Sequence, residues 1–217
     1  MGTIPKIALS KNQIQEIDSF SVAMIGNHRN YRSGGQLHRT EHQIFLDDKV
    51  GKTAEFILYR FLKLNGLIVS KQPDLHVYPL SEWDAGFDLE VTTSKGKKWR
   101  IDVKGSGPKA HNLMIERKDW SVSADGNKYK LKKSSSDLTP SFWFAVNVDS
   151  DMKSGTIHGY IPQQLLINAI KDAENHHTYF QGQNIPGTNR DLDADNYIWG
   201  YEELWDPINF LKYYKNN

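Results

Sequence analysis

The sequence predicts an α/β fold with a central mixed β-sheet flanked by helices. Three observations predict it. Val50, Ala54, Ile57, Leu58 and Phe61 recur at spacings of three and four across residues 49–64, the pattern of an amphipathic helix. Two alternating runs rich in β-branched and aromatic residues, 87–92 and 98–104, flank the turn material Ser94-Lys95-Gly96-Lys97 and so form a hairpin. Residues 141–148 are apolar enough for a strand buried on both faces.

The remaining elements follow in order. An apolar stretch at residues 4–9 precedes Ser10, which caps a short helix near 13–20. Residues 26–39 form a polar arm with Arg29, Arg32, Arg39, His28 and His38. Arginines of this kind suit phosphates and base edges, and they equally suit a solvated loop. Asn65-Gly66 ends the 49–64 helix. A short strand at 67–69 leads into a Pro-containing connection, with Asp74 and Asp84 nearby. After the hairpin, Gly105-Ser106-Gly107-Pro108 breaks the strand, and Ser106 is a turn residue or a phosphate donor. Residues 113–116 are a further strand. Residues 128–133 alternate Lys with Tyr129 and Leu131, giving an edge strand whose basic face suits the DNA backbone. A strand at 155–161 runs into a helix begun by Pro162. Residues 175–189 are an irregular connection, and 203–214 form a closing helix despite Pro207.

Composition sets the bounds. The chain's 217 residues suit one domain, with a core over about 50–161, an N-terminal arm over 1–48 and a C-terminal extension over 162–217. Its 38% hydrophobic and 24% charged residues place it in the soluble globular class. A formal net charge of +1 gives no global basic field, so any nucleic-acid contact rests on local patches. The absence of cysteine excludes a disulfide framework and a thiolate zinc site, and it is compatible with a cytoplasmic location. No run reaches transmembrane length and no signal-peptide core is present, so no membrane association is expected.

The chemistry concentrates in the hairpin. Asp88 opens its first strand, and Asp102 and Lys104 end its second. Residues two apart on a strand share a face, so Asp102 and Lys104 point the same way, towards Asp88. Mg²⁺ is usually bound by one or two carboxylates plus substrate phosphate oxygens. Asp88, Asp102 and the Val103 carbonyl supply such oxygens, and Lys104 is placed to orient or deprotonate an attacking water. The Asp-x-Lys spacing has no value alone, because an acid-x-Lys triplet occurs four times: Asp47/Lys49, Asp102/Lys104, Glu116/Lys118 and Asp151/Lys153. Only Asp102/Lys104 lies in an apolar β-run with another Asp on the preceding strand. Asp84 and Asp74 are rivals of Asp88, which is preferred for its place at the strand.

These residues resemble the PD-(D/E)XK nuclease superfamily, whose fold is restriction-endonuclease-like. In that family a helix ahead of the core sheet, often carrying Gly-x-x-Ala-Glu, contributes a glutamate. Gly51-Lys52-Thr53-Ala54-Glu55 fits the pattern, and the resemblance spans residues 50–161. It implies a Mg²⁺-dependent endonuclease, with Mn²⁺ able to substitute, in which Asp88, Asp102, Val103 and Glu55 hold the metal and Lys104 serves the water. Size favours a small type II restriction or defence nuclease, a homodimer on double-stranded DNA whose symmetry matches a palindromic target. A junction or repair nuclease, a toxin nuclease and a catalytically silent binding domain on the same fold are the alternatives.

Two other motifs fail. Gly51-Lys52-Thr53 looks like the end of a P-loop, but Leu46 stands where the pattern needs Gly. Residues 191–202 place acids at the first, third and fifth positions and Glu at the twelfth, as in an EF-hand calcium loop. Asn196 replaces the turn glycine, and Pro186 and Gly187 leave no entering helix, so an acidic surface turn is expected.

Overall fold

The computed structural model describes residues 6–25, 40–78, 86–125, 128–133, 138–172 and 176–217. Strand β1 (Ile7–Ala8) leads into helix α1 (Lys11–Ala23). The Ser10 hydroxyl accepts from the Gln13 N–H, and the Gln13 side chain accepts from the Ser10 N–H, a capping box that fixes the helix start. Helix α2 (Glu41–Leu64) begins eight residues before the predicted Lys49, behind a second capping box of Thr40 and Gln43. His42, Gln43, Asp47 and Asp48 dilute the apolar period there, which is why periodicity finds the helix late. Its end is as predicted. Gly66 takes φ 81°, the Gly66 N–H donates to the Lys63 carbonyl and the Leu67 N–H to the Leu62 carbonyl, the αL closure that glycine allows.

The next elements are β2 (Val69–Lys71), β3 (Leu89–Thr92), β4 (Lys98–Ser106), β5 (Asn112–Glu116), β6 (Trp120–Asp125), β7 (Lys128–Lys133), β8 (Phe142–Val148) and β9 (Ser154–Pro162). They are followed by α3 (Gln163–Lys171), β10 (Thr178–Tyr179), β11 (Asn196–Gly200) and α4 (Pro207–Asn216). Pro207 does not interrupt the last helix. It occupies the first turn, where a missing N–H costs nothing, beside the Asp206 cap.

The main sheet has the order β1-β9-β8-β4-β3-β2, with β4 and β8 parallel and the other neighbours antiparallel. It is therefore mixed, as expected. Every residue of β8 is buried. Phe142, Phe144, Val146 and Val148 face the core shared with α2 and α4, while Trp143 and Ala145 face a second core containing Leu166 and Ile167 of α3. Helices thus flank both faces.

Two smaller sheets sit beside it: β10-β11-β5, and the ribbon β6-β7. Residues 113–116 thus form a strand but join β11, not the main sheet. Gly105 does not break β4, which continues to Ser106 and pairs Gly105 with Val146. Residues 191–202 are neither shaped as an EF-hand loop nor the expected acidic surface turn, because 196–200 form β11, of which all but Gly200 is buried. Asn196 pairs with both Glu116 and Tyr179 in β11, and the Asp195 carboxylate lies 3.3 Å from Arg117 Nη1 and accepts from the Gln181 N–H. No helix among the described residues is long and apolar enough to cross a membrane.

Candidate active site

Glu55 is placed by a close helix–strand crossing. A Cβ on Gly105 would lie 2.8 Å from Ala54 Cβ and 3.0 Å from the Val50 carbonyl oxygen. Glycine in the strand and alanine in the helix let α2 press directly onto β4. Glu55, the next residue, is brought in with it and is 8% exposed. Lys52, one helical turn earlier, sets its Nζ 2.8 Å from both Glu55 carboxylate oxygens. Burial, and then the nearby Asp88 charge, push the Glu55 pKa up to about 8 against the opposing Lys52 ammonium.

Asp88 stands one residue before β3, where backbone pairing with β4 hands over to a side chain. Its N–H donates to the Ile101 carbonyl at 2.9 Å, and its Oδ2 accepts from the Val103 N–H at 2.6 Å. Asp102 is 4% exposed. Lys104 Nζ lies 2.7 Å from Asp102 Oδ1, on the shared face that the two-residue spacing predicts. Burial, and then the Asp102 charge, raise the Asp88 pKa, opposed by its bond from Val103 and by Lys104. For Lys104, burial would lower the pKa, but the Asp102 and Asp88 charges outweigh it and the ammonium is held above its ordinary value. Its side chain as a whole is 39% exposed, so the Lys104 stem is only partly covered.

The structure therefore joins Asp88, Asp102, Val103 and Lys104 through direct contacts, and Glu55 to them through charge. The three carboxylates remain too open to form a tight ligand trio. Among the described residues, the one trio of His or acid ligand atoms within 4.8 Å of one another is His176, His177 and Glu203. Of the rival aspartates, Asp74 has both oxygens engaged, one by the His76 N–H and one by the Tyr78 hydroxyl. Asp84 lies outside the described residues, as does the 26–39 arm.

Sequence reasoning missed three supporting groups. Lys52 was visible as a cation one turn from Glu55. Lys71 donates to the Phe87 carbonyl at 2.6 Å and adds positive charge near Glu55; its role depends on a pairing between strands that no local pattern encodes. Asn147 is the third. Ser106 shares a β4 face with Asp102 and Lys104, but its hydroxyl points at Asn147 Oδ1 (2.7 Å), which also accepts from Tyr201 Oη (2.5 Å). Ser106 is thus neither a turn residue nor a free phosphate donor. On the β6-β7 ribbon, Leu131 is buried while Lys130 and Lys132 are exposed, so the predicted basic face exists. No model of a known protein family, no curated protein and no solved structure matches this chain.

Proposed function

We propose that the chain is a divalent-metal-dependent endonuclease that hydrolyses DNA phosphodiester bonds from a restriction-endonuclease-like core. The observation that carries this reading is the convergence of buried Glu55 and Asp102 and half-buried Asp88 with the Lys104 ammonium. Glu55 and Asp88 are driven above their ordinary pKa by burial and by a neighbouring carboxylate charge, so the site resists holding its full negative charge, and a divalent cation relieves that. The donor set is all oxygen, which suits Mg²⁺ or Mn²⁺.

Asp88 and Asp102, with the Val103 carbonyl, would hold the ion, and Glu55 would support it or its water shell. A bound Mg²⁺ supplies Lewis acidity and lowers the pKa of a coordinated water. Lys104, kept protonated by the Asp102 and Asp88 charges, is better suited to donating than to abstracting a proton. It would leave Asp102 to donate to a phosphoryl oxygen and fix the attacking water. Water oxygen bonds to phosphorus, the bond to the 3′ oxygen breaks, and that oxygen takes a proton, giving 5′-phosphate and 3′-hydroxyl ends. The exposed Lys130 and Lys132 would lie along the backbone of double-stranded DNA. Within this proposal the protein is a cytoplasmic restriction or defence enzyme, and a homodimer would present one site to each strand.

The test is plasmid cleavage in Mg²⁺, in Mn²⁺ and in EDTA, by the wild type and by Lys104→Ala. Discrete fragments that require the metal and disappear in the variant support the reading. Intact duplex, four-way junction and single-stranded DNA under every metal condition would refute it.

A further inference from the structure

We propose that His176, His177 and Glu203 form a zinc site, separate from the Asp88–Asp102 centre, that ties the turn before β10 to the turn after β11. Their ligand atoms all lie within 4.8 Å of one another. His176 Nε2 is 3.6 Å and His177 Nε2 3.9 Å from Glu203 Oε1. In a tetrahedral zinc site with bonds of about 2.0–2.1 Å, neighbouring ligand atoms stand about 3.3 Å apart. The two histidine–Glu203 distances exceed that spacing by about 0.3 and 0.6 Å, and the two rings, whose centroids are 3.9 Å apart, would splay as both turn their Nε2 atoms to one ion.

The surroundings orient each donor. His177 Nδ1 lies 2.9 Å from the Ile198 carbonyl oxygen. A carbonyl only accepts, so Nδ1 carries the hydrogen, and in the neutral ring the lone pair sits on Nε2, the nitrogen near Glu203. An imidazole fixed through its second nitrogen by a backbone carbonyl is the usual support of a metal-ligating histidine. The same ring stacks on Trp199 at 4.9 Å, which limits its rotation. Glu203 Oε2 accepts from the Gly200 N–H at 2.7 Å, so the two carboxylate oxygens have separate tasks. Two imidazoles and one carboxylate suit Zn²⁺ better than the oxygen-seeking Mg²⁺ or Ca²⁺. Three protein ligands leave a fourth position for water.

The location gives the site a structural purpose. Glu203 shares its turn with Tyr201, whose hydroxyl bonds Asn147 next to Ser106 at the end of β4. A zinc ion on Glu203 would hold the small sheet against the end of the strand that bears Lys104. If the imidazoles merely pair with the carboxylate when protonated, no metal will bind.

The test is calorimetric titration of the full chain, free of a histidine tag, with ZnCl₂ in excess Mg²⁺. We expect one zinc per chain, and Co²⁺ in its place should give the visible bands of a tetrahedral ion. His177→Ala and Glu203→Gln should each weaken binding by about 10-fold or more. His176→Ala, at a side chain 79% exposed, should do so without any effect on folding. Asp102→Asn should bind zinc as the wild type does. The absence of saturable binding, or binding unchanged in all three site variants, overturns the proposal. Loss of binding in Asp102→Asn alone assigns the ion to the other centre and also overturns it. Because zinc binding is read independently of cleavage, its failure and that of the nuclease reading are distinguishable.

Discussion

Glu55, Asp88 and Asp102 contact two opposing cations and one backbone N–H, and for Glu55 and Asp88 those contacts only partly offset the cost of burial and of a neighbouring carboxylate charge. That imbalance separates stability from activity. Asp88→Asn retains an oxygen for the Val103 N–H but removes one of the repelling charges. It should keep or raise the melting temperature while abolishing cleavage, by thermal melting alongside the plasmid assay. A large drop in melting temperature would instead make Asp88 a structural tie across the hairpin. Lys104→Ala should lower cleavage by about 10²-fold or more, with circular dichroism unchanged. Asp88, Asp102 and Lys104 could be found in the sequence because alternation along a strand puts residues two apart on one face. Lys52 was harder to find, because its importance arises from the burial of Glu55, which depends on the strand beneath it.

The same division between local and distant information holds for the elements. The Ser10 cap, the Gly66 closure and the 94–97 turn are written in consecutive residues and form where the sequence predicts, whereas the Thr40 capping box lies eight residues ahead of the predicted helix start. The β11–β5 pairing joins Asn196 to Glu116 across a long stretch of chain, and nothing near either residue announces it. The parallel contact of β4 with β8 is hidden in the same way, as is the role of Gly105: local rules treat glycine as a breaker, whereas here it answers to a helix far away in sequence. The first two turns of α2 depend on Thr40 more than on apolar period. Thr40→Ala should therefore cost about 1 kcal/mol in urea unfolding, with the m-value unchanged. No change in midpoint would show that tertiary contacts, not the cap, hold that end.

For the molecule as a whole, Glu55 links stability to pH. It titrates at about 8 in the fold and in the ordinary glutamate range when unfolded. Between those values the native state keeps a proton that the unfolded state has lost, so its stabilising effect is complete at low pH and disappears as pH approaches 8. Without divalent metal, stability should fall from about pH 5 to pH 8, by at most roughly 1.4 kcal/mol per pH unit from this group. Glu55→Gln should flatten the slope, and Mg²⁺ should protect the wild type more at the upper end than at the lower. Melting curves across that range check all three; a wild-type slope that survives in Glu55→Gln would place its origin elsewhere.

The crossing of α2 over β4 holds one methyl group and has no room for two. Gly105→Ala should therefore destabilise by about 1–3 kcal/mol although it touches no charged group. Adding Ala54→Gly should recover part of that loss, less about 1 kcal/mol for glycine within a helix. Among distant relatives of this chain, positions 54 and 105 should then covary as a pair that shares a single side chain between them.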